Sequence, residues 1–98
     1  MIYQEISETE GRVVIRCSGD IENSNDLRFL EPYVQKGVQV ELELSELGYI
    51  NSCGFGAMVE ESMNFEDAGL ELKMTGLKAH IRKTLALLGG EELLNYTD

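Results

Sequence analysis

The period of the hydrophobic pattern switches back and forth along this chain, and that switching limits the fold more than any other feature. Ile2, Gln4 and Ile6 oppose Tyr3 and Glu5, and beyond Glu10-Gly11 the residues Val13, Ile15 and Cys17 alternate with Val14, Arg16 and Ser18. A period of two belongs to a strand, so two such runs joined by a short polar turn predict a β-hairpin, with Gly19 closing its second strand. The spacing then changes. Leu27, Leu30 and Val34 recur at helical spacing, behind a polar stretch from Asp20 to Asp26 that is rich in capping side chains, and Gly37 ends the run. Pro32 lies inside it and predicts a bend near Glu31, because proline removes a backbone hydrogen bond and clashes with the preceding turn.

Alternation returns at Val38, Val40, Leu42 and Leu44, set against Gln39, Glu41 and Glu43, which predicts a third strand with one buried and one polar face. The chain is expected to turn after Leu44 and pass through Ser45–Ile50 into Asn51-Ser52-Cys53-Gly54-Phe55-Gly56. Beyond it, Phe55, Met58, Val59, Met63 and Phe65 share one arc of a helical wheel, while Glu60, Glu61, Asn64 and Asp67 take the other side. Glu66 is out of place on the apolar arc. Gly69 is the expected C′ residue of this second helix. Leu70, Leu72 and Met74 make a fourth strand, and Ile81, Leu85 and Leu88 a third helix stopped by Gly89-Gly90. The tail around Leu93–Tyr96 fits either a short strand or a helical turn. This order describes one domain over residues 1–98, of the α/β class, with a mixed sheet that is parallel where helices cross over.

Charge narrows the function. Eighteen acidic residues against eight basic ones leave a net charge of −10, which argues against binding nucleic acid or an anionic membrane. The opening Met1–Glu5 has no basic segment leading into an apolar run, and no stretch approaches a membrane span, so a soluble, cytoplasmic protein is expected. Cys17 and Cys53 read as reduced thiols, and with His80 they supply too few ligands for zinc. His80 sits among Lys78, Arg82 and Lys83 and reads as part of a solvated basic face; a Cys53–His80 dyad would lack a third, orienting group. Cys53 reads as a small apolar filler of a buried turn. Gly54-Phe55-Gly56 lacks the later glycine and the lysine of nucleotide-binding loops. No enzymatic activity, metal or cofactor is expected.

The runs Val13–Gly19, Val40–Ser45, Tyr49–Ala57 and Gly69–Leu77 together resemble the STAS domain family, which includes bacterial anti-sigma factor antagonists. The resemblance covers about 85 residues in the right order. It implies a sheet of four to five strands with about three helices packed mainly on one face. It also implies a protein-interaction module that binds an anti-sigma factor or switch-protein serine kinase, with a serine phosphatase as a further partner, or alternatively an accessory subunit of a transporter or stress-sensing complex. The family's motif places an acidic residue, a phosphorylated Ser, a second hydroxyl residue and a Gly at the start of the second helix. Ser52 matches the phosphorylated residue, while Asn51 stands at the acidic position and Cys53 at the second hydroxyl. Glu22 and Glu43 stand at two further acidic positions of the pattern. The implied partner surface comprises Glu22, Asn51, Ser52, Cys53, Gly54, Gly56 and Glu60. Gly54 and Gly56 read as residues that leave the turn uncluttered for a partner's backbone, with Phe55 packing inward.

Overall fold

The computed structural model describes residues 2–9 and 11–97. Strand β1 (Ile2–Thr9) and strand β2 (Arg12–Ile21) pair antiparallel, with Thr9 opposite Arg12 and Ile2 opposite Gly19. Gly11 takes φ 79°, the left-handed conformation that a tight hairpin turn demands; Glu10, the other half of the expected turn, lies outside the described residues. A 3-10 helix (Ser24–Leu30) then runs into α1 (Glu31–Lys36). Pro32 produces the expected change of geometry: the helix is 3-10 before it and α after it, so proline occupies the first turn of α1, where no N–H is needed.

Strand β3 (Gln39–Ile50) leads to α2 (Ser52–Asp67), β4 (Leu72–Thr75), α3 (Ala79–Leu87), a single turn α4 (Gly90–Leu93) and β5 (Tyr96–Thr97). The sheet order is β1-β2-β3-β4-β5, and every pair after the first is parallel. Gly69 ends α2 as expected, at φ 76°: its N–H donates to the Glu66 carbonyl at 2.9 Å and that of Leu70 to Phe65 at 2.8 Å, which together satisfy the helix's last carbonyls.

Two strand boundaries differ from the sequence expectation, for one reason. Strand β2 continues past Gly19 to Ile21, and β3 continues past Leu44 to Ile50. Between Arg16↔Glu43 and Ile21↔Ile50 the pairing slips twice, each time by one extra residue on β3. Buried positions on β3 therefore change from every second residue (Val40, Leu42, Leu44) to every third (Leu44, Leu47, Ile50). Bulges break the period-two signal by which strands are read.

The helices cover one face of the sheet. Ile15, Cys17 and Ile21 of β2, Leu42, Leu44 and Leu47 of β3 and Met74 of β4 are fully buried there against Leu27, Leu30, Met58, Phe65 and Leu85. Each such aliphatic or aromatic side chain contributes about 1.5–3 kcal/mol on burial. The other face is polar: Arg16 pairs with Glu43 at 2.8 Å, Arg12 with Glu41 at 3.5 Å, and the Thr75 hydroxyl donates to Glu41 at 3.1 Å. Met63, expected in the core, is 56 % exposed instead. It projects from the side of α2 opposite Met58 and Phe65. Glu66, expected on the apolar arc, is exposed too.

Candidate functional site

Strands β2 and β3 run parallel and end side by side at Ile21 and Ile50, so the chain leaves both over one end of the sheet. The start of α2 is seated there. Asn51 is extended and caps the helix: its Oδ1 accepts the Gly54 N–H at 2.7 Å, and its own N–H donates to the Ile21 carbonyl at 3.4 Å. Gly54 is buried under the end of β2. A Cβ at this position would lie 2.0 Å from the Ile21 carbonyl oxygen and 2.6 Å from its carbon, both backbone atoms that cannot swing away. The glycine is thus required by a contact inside the chain, a reason different from the access for a partner inferred from sequence. Gly56 has open space around it and an exposed position.

Ser52 is the first residue of α2 and is exposed. Because Asn51 supplies the cap, the Ser52 hydroxyl is left out of the hydrogen-bond network among the described residues. The first turn of a helix presents N–H groups without intrahelical partners and about half a unit of positive charge. The first turn of α2 carries no acidic residue that would offset this field. Cys53, the next residue, is exposed, contrary to the expectation of a buried filler. Cys17 is the buried thiol, and desolvation, assisted by the Glu43 charge, pushes its pKa up to about 12.

Glu22 directly follows Ile21 and is exposed beside this helix start. Its backbone N–H donates to Asp26 Oδ2 at 2.9 Å, and that bond, joined by one from the Asn23 amide, holds the Asp26 carboxyl below its ordinary pKa against the opposing effect of burial. The loop is consequently pinned. Ser52, Gly56 and Glu60 follow one another at intervals of four along the exposed side of α2. Glu43 is positioned elsewhere. It lies on the open face of the sheet, bonded to the Ser45 amide at 2.9 Å and to Arg16; burial opposes its ionisation, but these partners hold its carboxyl below the usual range.

His80 lies at the same end of the molecule, its Nε2 3.2 Å from the Gly48 carbonyl oxygen, and Arg82 sits over the Tyr96 ring at 5.5 Å. These two side chains tie α3 to β3 and to β5, so the expected solvated basic face is in part structural. Among the described residues no group of three His, Cys, Asp or Glu side chains could hold a metal ion. Two exposed apolar side chains were not assigned to this surface by sequence reading: Tyr49 (51 % exposed), beside Ile50 at the end of β3, and Met63, farther along α2. Met63 is eleven residues from Ser52, three helical turns, and that phase was the available signal.

A family model described as "Mlab, STAS domain" matches residues 5–95. The chain belongs to the STAS domain family. Solved structures of similar fold include SpoIIAA, an anti-sigma factor antagonist, in its unphosphorylated form (TM-score 0.71, 16 % identity, covering 98 % of this chain and 88 % of that one). The phosphorylated form from Bacillus is also similar (0.67, 14 %, 98 % and 92 %). An RsbS variant of Moorella thermoacetica (0.72, 19 %, 96 % and 85 %) and a component of the stressosome, a signal integration and transduction hub (0.64, 22 %, 96 % and 88 %), share the fold. At such identities the likeness extends to the architecture of this STAS domain, with its hairpin, parallel crossovers and one-sided helix layer. Among the described residues no helix is long and apolar enough to cross a membrane.

Proposed function

We propose that this STAS domain is a non-enzymatic interaction module that docks an anti-sigma factor or switch-protein kinase through the Asn51–Gly56 segment and the exposed side of α2, and that phosphorylation of Ser52 releases the partner. The observation that carries the reading is the division of labour at the helix start. Asn51 does the capping, and the neighbouring Ser52 hydroxyl is exposed and unengaged.

A phosphate on Ser52 would add roughly −1.5 to −2 charge where helix amides and the macrodipole favour an anion, so the fold accepts it without rearrangement. The change falls on the partner instead. A partner surface closed over Ser52 would have to desolvate a dianion, at a cost of several kcal/mol, which is enough to dissociate a micromolar complex. SpoIIAA, of the same fold, exists in both unphosphorylated and phosphorylated forms.

A second reading is a docking subunit that is never phosphorylated, in a transporter or stress-sensing complex. Asn51 favours it, since Asn completes the cap while lacking the charge that the family's motif carries at this position. Affinity capture from the source cell's lysate with wild type, Ser52→Ala and Ser52→Asp as baits separates the two. The switch predicts equal capture of the same partner by wild type and Ser52→Ala and its loss with Ser52→Asp; equal capture by all three leaves the constitutive subunit.

A further inference from the structure

Positions 37–72 contain no Lys, Arg or His, and α2 lies wholly within this stretch, bearing Glu60, Glu61, Glu66 and Asp67. The C-terminal half of the helix borders a groove of about 510 Å³ against α1 and the 3-10 helix. Glu31, Glu60, Glu61 and Asp67 line it with Arg28 as its one basic side chain, and the ion pairs among the described residues lie on the open face of the sheet instead. Glu61 is the unusual member. Its Oε2 is buried and has no hydrogen-bond partner, a costly condition for a carboxylate oxygen. Burial, Glu60 and Glu31 raise its pKa against a hydrogen bond with Asn64 that lowers it, so this half-buried carboxyl lies among like charges. Met63 stands exposed on the same helix, one turn before Asp67.

We propose that this groove and the adjoining face of α2 dock a basic segment of the partner protein, with an arginine side chain entering between Glu31 and Glu61 and an apolar partner residue covering Met63. Complementarity of charge selects this occupant: four carboxylates, one of them with a buried oxygen that lacks a donor, match a planar fork of N–H donors, and arginine bridges two carboxylates better than lysine. The inference rests on the reading of α2 as the docking helix, and extends it from the Ser52 end to the far end of the same helix.

The test is an NMR titration of the whole chain with a defined probe, a 15-residue alanine-based helical peptide carrying arginines at i and i+4 beside a leucine, against its citrulline counterpart. The expected result is that shifts concentrate on residues 28–35 and 60–67 and on the Met63 methyl, with the citrulline peptide about tenfold weaker. Glu60→Gln with Glu61→Gln should weaken the arginine peptide about tenfold. The equal charge loss of Glu5→Gln with Glu46→Gln, at positions away from the groove, should change it less than about twofold. Equal weakening by both pairs, or shifts spread over the acidic surface, would overturn the proposal. Ser52→Asp bait capture reads the switch independently, so a diffuse titration alongside a Ser52-sensitive partner rejects the groove alone.

Discussion

Two glycines two residues apart in α2 should respond to alanine with opposite signs. At Gly54 an added Cβ would meet the Ile21 carbonyl oxygen at 2.0 Å and its carbon at 2.6 Å, where ordinary contacts begin at 3.4 Å. Relief requires moving the first turn of α2 off the end of β2 by more than an ångström, and overpacking of this kind costs about 1–3 kcal/mol. The upper end applies because both obstructing atoms are backbone, and the intrinsic helix preference of alanine returns only about 1 kcal/mol. Gly54→Ala should therefore lose about 2 kcal/mol, or about 8–16 °C in Tm for a domain of this size. Gly56 has nothing within 4 Å of its hypothetical Cβ, so Gly56→Ala should gain about 0.5–1 kcal/mol, raising Tm by about 4 °C. Urea titration and thermal unfolding monitored by circular dichroism read both. If the two variants shift stability in the same direction, the seating of α2 on Ile21 is wrong and with it the placement of Ser52.

Asn51→Ala should lose about 1 kcal/mol through the missing cap, whereas Asn51→Asp should keep the cap and gain about 0.3–1 kcal/mol from a charge at the helix N-terminus, both measured by urea unfolding. Native protein at pH 8 should take up one equivalent of iodoacetamide, at exposed Cys53, and a second only after unfolding, as intact mass will show. Because the Cys17 thiol ionises near 9 in the unfolded chain and about 12 in the folded one, its contribution to stability should be complete below pH 9 and fall as pH rises from there, and Cys17→Ser should flatten that part of the pH–stability curve. Glu61→Gln should raise Tm at pH 7, where the native carboxylate is disfavoured by burial and by Glu60 and Glu31, and leave it unchanged at pH 3, where the acid is neutral in both states.

Where side chains obey a simple period, the sequence was transparent. The hairpin, the bend at Pro32 and the termination of α2 at Gly69 each follow from one or two residues whose local chemistry leaves little choice. Legibility failed where a tertiary contact overrode the local pattern. The extra residues on β3 come from strand pairing that no window of sequence contains, and they hide half of that strand. Gly54 looks like any loop glycine until Ile21 is placed beside it. Met63 fits the apolar arc of a wheel drawn for α2 alone, yet the helix meets its neighbours over a narrower stripe that stops short of it. At the site, the resemblance placed Ser52 and Glu22 on the basis of motif order, and the structure sets both at the same end of the sheet. The orphaned oxygen of Glu61 had no sequence signal, since desolvation depends on where α1 lies.

If Ser52 is the phosphoacceptor of a docking surface, a kinase of the source cell must modify it. Incubation of the chain with ATP, magnesium and lysate of its own organism, followed by intact mass and site mapping, tests it directly. The expected result is a single phosphate on Ser52 that is absent from Ser52→Ala. An unmodified chain, or a phosphate that maps elsewhere and persists in Ser52→Ala, would contradict it.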